Sequence, residues 1–101
     1  MLLLAAGLAA ACALPGLAAA ATHTVTIQDM KFAPASLTVR RGDKVVWHNK
    51  DVVPHTATAK GVFDSGNIAG GKSASHAFAK AGRYEYVCSY HPGMKATVVV
   101  Q

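Results

Sequence analysis

The segment Cys88-Ser89-Tyr90-His91-Pro92-Gly93-Met94 spaces a thiol, an imidazole and a thioether with two residues between each, and His55, in Val53-Pro54-His55-Thr56, offers a second imidazole from a distant stretch. One thiolate and two imidazole nitrogens in a trigonal arrangement, with a weak axial thioether, are the donor set of a blue-copper electron-transfer centre. Zinc more often recruits two to four cysteines and has little use for methionine. The expected cofactor is therefore one copper ion (Cu+/Cu2+), held by His55, Cys88, His91 and Met94.

Each of these residues also has a plainer reading when taken alone. Cys88 could be an inert core thiol, and His91 or Met94 an ordinary surface or packing residue; only the combination speaks for a metal. His23, His48 and His76 have no such company, and His76, sharing a face with Phe78, is expected to be structural. Asn49 and Asp51 are expected to shape the loop before His55 rather than to bind metal.

The elements that must carry these donors read as strands. Beyond residue 22 no helical periodicity of useful length occurs, whereas short runs rich in Val, Thr, Phe and Tyr alternate with turn signals. Expected strands are His23–Ile27, Met30–Pro34 at an edge because of its proline, Ser36–Val39, Lys44–Asn49, Ser75–Phe78, Tyr84–Cys88 and Lys95–Val100. Residues 57–71, with four glycines, read as a loop with at most one short strand near Val62-Phe63. The pattern predicts an all-β fold, a small Greek-key β-sandwich of about seven to eight short strands in two sheets. Trp47 is its expected centre, and Tyr84, just after Gly82, is placed to form a tyrosine corner.

Strand direction brings the donors together. The chain runs from the Arg40–Asp43 turn through Trp47 toward His55, and from the Lys80–Gly82 turn through Tyr86 toward Cys88, so both paths finish at one end of the sandwich. Arg40, Arg41, Lys44, Lys80 and Arg83 then collect at the other end. His91, mid-loop between Tyr90 and Pro92, is the ligand expected to reach solvent, inside an apolar patch of Pro54, Pro92 and Met94 suited to brief docking.

Residues 1–21, almost entirely Ala, Leu and Gly and ending in small residues, read as a secretory signal peptide, leaving a domain of residues 22–101 in the periplasm. No Lys or Arg precedes the apolar run, so either the α-amino group supplies the positive end or translation begins upstream of Met1. A permanent membrane anchor, a lipidated Cys12 and a buried helix are the competing readings, weakened respectively by Pro15-Gly16, by the position of Leu8 and by the lack of any later segment that reads as a helical partner. Removing the leader leaves Cys88 as the single cysteine, so no disulfide can form within the exported domain. No stable membrane span is expected in the mature form.

All ten Lys and Arg and all five Asp and Glu follow residue 28, so residues 22–101 keep the formal charge of +5. Such a surface favours salt-sensitive encounters with acidic partners, or simply keeps a small protein soluble. Nucleic acid is not an expected partner, because the cations are neither interleaved with exposed aromatics nor concentrated on a helix.

Residues 22–101 resemble a small cupredoxin, most like the amicyanin and pseudoazurin branch of the plastocyanin-like family. The matching features are Met30-Lys31-Phe32 with Pro34, Gly42-Asp43 before Val45 and Trp47, Asn49 through Pro54-His55, Ala81-Gly82 with Tyr84 and Tyr86, and the segment Cys88 to Met94. The resemblance implies a monomeric periplasmic shuttle for single electrons, working between redox proteins such as a dehydrogenase donor and a c-type cytochrome or oxidase acceptor. A copper-binding protein for storage, buffering or delivery is the alternative, and an enzyme is not expected, since no second ligand cluster is present. Such proteins often carry Asn after the first histidine, where this chain has Thr56, which leaves open how the Cys88 sulfur is restrained.

Overall fold

The computed structural model describes residues 19–101. The expected leader, residues 1–21, lies outside them except for Ala19, Ala20 and Ala21. No helix occurs among the described residues; nine strands form two sheets. They are β1 (Thr22–Gln28), β2 (Lys31–Ala33), β3 (Ser36–Val39), β4 (Lys44–Asn49), β5 (Thr58–Ala59), β6 (Phe63–Asp64), β7 (Ser73–Ala77), β8 (Gly82–Cys88) and β9 (His91–Val100).

One sheet has the order β2-β1-β4-β7 and the other β3-β9-β8-β5-β6. β1 runs parallel to β4, with Val25 opposite Trp47, and β3 parallel to β9, with Leu37 opposite Val98. Both parallel pairs arise because the chain crosses between sheets, the Greek-key arrangement expected for the two-sheet sandwich. Two expectations need correction. Residues 57–71 hold two strands, not at most one, because β5 and β6 are two-residue strands too short to show alternation. β9 starts at His91 rather than Lys95, since Cys88 already pairs with His91 across a two-residue turn.

The inward faces meet in one apolar core. Val25, Ile27, Val45, Trp47, Cys88 and Val98 are all fully buried. At its centre Trp47 stacks on Phe63 at 5.6 Å, meets Tyr86 edge-on at 5.5 Å, and donates its indole N–H to the Tyr86 hydroxyl at 3.0 Å. Burial pushes the Tyr86 phenol up to about 12, so it stays a neutral partner for that indole. Tyr84 forms the expected corner, its hydroxyl donating to Lys80 O at 2.8 Å.

The two ends of the sandwich differ. At one end the Arg40–Asp43 turn is tied to Phe78 and Gln101 by backbone bonds, and Lys44 to Ala21, which gathers Arg40, Arg41, Lys44 and Lys80 there as the strand directions require. Asp43 anchors that end, accepting from the Ala21 and Arg40 amides and from the His23 ring, contacts that hold its carboxyl down at about 2. The turns carrying residues 29–30, 50–57, 65–72 and 89–90 close the opposite end.

Candidate metal centre

His55 leaves the end of β4 in a loop that is stapled from within. Fully buried Asn49 donates its amide to Val53 O and Ile68 O, both at 2.9 Å, and accepts the Asp51 N–H at 2.9 Å. His55 itself makes a two-way backbone bridge with Ile68 at 3.1 and 2.8 Å. Gly70 lets the neighbouring loop close over this segment, because a Cβ there would sit 2.6 Å from Asp51 O. Buried backbone polar groups thus find partners, and the imidazole is carried into the interior with no exposed surface.

Cys88 comes from the last residue of β8. Val87 pairs with Lys95, yet Cys88 pairs with His91, so Pro92, Gly93 and Met94 bulge from the ladder beside the cysteine. This irregularity packs a ligand loop into the start of a strand. Met94 is buried in the same cluster as Cys88, whereas Pro92 is exposed. The expected apolar rim therefore loses Met94, while Pro54 and Pro92 are exposed as expected and exposed Tyr90 lies edge-on to His91 at 6.5 Å.

The donor atoms converge. Cys88 Sγ lies 3.7 Å from His55 Nδ1 and 3.6 Å from His91 Nδ1, and the three ligand atoms all lie within 4.8 Å of one another. Bonds of about 2.1 Å to an imidazole nitrogen and about 2.3 Å to a thiolate, meeting at about 120°, separate the two atoms by roughly 3.8 Å. The observed spacings match that triangle. A single first-row metal ion fits these donors with little adjustment.

Hydrogen bonds decide which nitrogen faces the metal. His55 Nε2 lies 2.8 Å from Asp51 Oδ2, and an ionised carboxylate can only accept, so Nε2 carries the proton and Nδ1 keeps its lone pair toward Cys88. Asp51 is held in turn by the Asp29 and Met30 amides at 2.7 and 3.0 Å. Both of those residues have left-handed backbones, with φ of 54° and 61°, in the tight turn joining β1 to β2. The Met30 amide is the main cause holding the Asp51 carboxyl below its usual range, against the opposing effect of partial burial, with His55 and the Asp29 amide adding to it. Asp51 therefore does more than shape its loop. Its place four residues before the histidine was the available signal.

The sulfur is restrained as well. The Thr56 amide donates to Cys88 Sγ at 3.4 Å, and the Thr56 hydroxyl accepts the Ser89 N–H at 2.8 Å. The hydroxyl of Thr56 thus takes up a tethering role that an amide side chain could have filled. His91 is the more open imidazole, half-buried where His55 is enclosed. The remaining histidines stay apart: His23 pairs with Asp43 at 2.9 Å, His48 contacts Ser73 at 2.8 Å, and His76 stacks on Phe63 at 4.9 Å, its pKa lowered by burial.

The family model of the cupredoxin-like domain matches residues 1–100. The chain belongs to the cupredoxin-like family. This cupredoxin is 35% identical over 83 residues to the amicyanin of Paracoccus versutus, an alignment covering 76% of the chain but 63% of that relative, just under two thirds of its length. A solved amicyanin variant in its Cu(I) form superposes with a TM-score of 0.75 at 32% identity, covering 85% of this cupredoxin and 88% of that chain. The copper-containing nitrite reductase of Thermus scotoductus SA-01 shares the fold at a TM-score of 0.74 and 29% identity, but the match covers 22% of that chain and 79% of this one.

Proposed function

We propose that this cupredoxin is a type 1 copper protein that carries single electrons between redox proteins in the periplasm, with His55, Cys88, His91 and Met94 as its ligands. The observation that carries the reading is the donor triangle at Cys88, with 3.7 and 3.6 Å sides and both histidine nitrogens of the same kind, Nδ1. Copper held there would supply one-electron chemistry. The chain supplies rigidity: the carboxylate of Asp51 orients His55 and the Thr56 amide steadies the sulfur, while Met94, buried in the same cluster as Cys88, would offer its thioether as the fourth ligand. Ligands fixed in this way suit both valences about equally and need little rearrangement on electron transfer.

The half-exposed ring of His91 is the ligand open to a partner, with the exposed residues Tyr90 and Pro92 on either side of it in sequence. A small apolar rim of this kind fits brief docking better than permanent association. Suitable partners are a dehydrogenase as donor and a c-type cytochrome or oxidase as acceptor, met by a monomer. The periplasmic assignment rests on the composition of residues 1–21. The role proposed is carriage of electrons rather than catalysis.

Voltammetry separates carriage of electrons from delivery of copper. The loaded protein is expected to give a reversible one-electron wave and to keep its metal over many cycles in the presence of a cuprous chelator. Rapid loss of cuprous ion to the chelator would instead make it a copper-delivery protein. Asp51→Ala, which frees the back of the His55 ring, is expected to weaken copper binding about 10–100-fold, the usual effect of losing a partner that orients a metal ligand. Chelator competition measures this, and unchanged affinity would show that Asp51 serves only the turn at Asp29 and Met30.

A further inference from the structure

We infer that Thr58 and Asp64 are positioning residues for the Cys88 thiolate, acting through a one-way chain of hydroxyl groups that ends on the Asp64 carboxylate. Thr58 Oγ1 donates to Asp64 Oδ1 at 3.1 Å, accepts from Ser89 Oγ at 3.1 Å and lies 2.9 Å from Thr56 Oγ1. A carboxylate oxygen only accepts, and a hydroxyl has a single proton to give. The Thr58 proton is committed to Asp64, so Thr56 must be the donor in the bond between the two threonines. Having given its proton away, Thr56 Oγ1 presents lone pairs to the Ser89 N–H at 2.8 Å. Direction therefore propagates from Ser89 through Thr56 and Thr58 to Asp64 without ambiguity.

Two members of this chain bear on Cys88. Ser89 follows it directly, and the Thr56 amide donates to its sulfur at 3.4 Å. Thr56 is buried and Thr58 half-buried, so the inner links have few competing waters. The outer link is set by the backbone: Thr58 and Asp64 face each other in the short hairpin of β5 and β6, and the Gly66 amide fixes the same Asp64 oxygen at 2.8 Å. The hairpin is thus a buttress for the metal end of the sandwich.

A hydrogen bond to a thiolate withdraws charge from sulfur and favours the metal state of lower charge. Loosening the chain lets the Thr56 amide and Ser89 drift, weakens that bond and lowers the reduction potential. The potential rests on the copper reading proposed above; the hydroxyl chain does not.

Two measurements on Thr58→Val, which keeps the shape and removes the hydroxyl, separate the parts. In the metal-free protein the Ser89 amide is expected to exchange its hydrogen about three- to tenfold faster, the effect of losing one neutral hydrogen bond. In the copper-loaded protein the potential is expected to fall by about a threefold shift in the redox equilibrium, roughly 30 mV at 59 mV per tenfold for one electron. Thr58→Ser should restore both, and Asp64→Ala, at an exposed position, should move both in the same direction. Unchanged Ser89 exchange in Thr58→Val and Asp64→Ala would overturn the chain. Faster exchange with a potential that stays or rises would overturn the positioning role. Failure of the unaltered protein to form a copper–thiolate centre would strike the copper reading alone, leaving the exchange result intact.

Discussion

A Cys88→Ser variant is expected to lose the blue copper centre entirely while keeping the metal-free fold. The sulfur is the vertex of the donor triangle, 3.7 and 3.6 Å from the two Nδ1 atoms, and has no exposed surface. A serine oxygen sits closer to its own Cβ, holds its proton far more tightly and gives no covalent thiolate bond to copper. Its hydroxyl stays beside the Thr56 amide and the two Nδ1 atoms, so a small shift brings it a partner and the cost to the metal-free fold stays modest. Copper titration followed by absorption, with thermal melts of both metal-free proteins, checks the two halves. Persisting blue colour in the serine variant would contradict the thiolate, and collapse of the metal-free fold would show Cys88 to be a packing residue first.

The second large effect is expected in the core. Trp47→Ala should cost about 3–5 kcal/mol, the range for removing a buried aromatic. Trp47 touches Phe63 and Tyr86 and supplies the indole donor to the Tyr86 hydroxyl, whose phenol is buried with it. For a domain this small, total stability of roughly 4–12 kcal/mol leaves little reserve. The metal-free variant is therefore expected to unfold at a much lower urea concentration, and copper at about 100 times its dissociation constant to restore about 2.7 kcal/mol by binding the folded state alone. Urea unfolding with and without copper measures both. A loss below about 1 kcal/mol would mean that the two sheets hold together without the tryptophan.

Strands with a clear inward face are legible in the chain: in β1, β4 and β8 buried residues alternate with less buried ones, because one face meets the core. The meeting of His55 with Cys88 and His91 followed from strand direction together with residue type. β5 and β6 left no such trace, since two residues cannot establish a period, and their stability comes from pairing with each other and with Val87 of β8. The early start of β9 was hidden for a different reason. Pro92 and Gly93 signal a loop, and a three-residue bulge satisfies that signal inside a strand. Asp51, four residues before His55, has a local signal for its supporting role, whereas Thr58 and Ser89 have none, because a hydrogen bond between side chains on separate turns depends on tertiary placement that no local pattern encodes. Thr56 was singled out from sequence, but its role became assignable only once Ser89 was seen beside it.

The most direct measurement is the absorption spectrum of the protein during titration with cupric ion. An intense blue band that grows to saturation at one equivalent is expected, because His55, Cys88 and His91 bring one thiolate and two imidazole nitrogens around a single ion. A protein that takes up one equivalent and stays as pale as cupric ion bound to nitrogen and oxygen alone would contradict the centre.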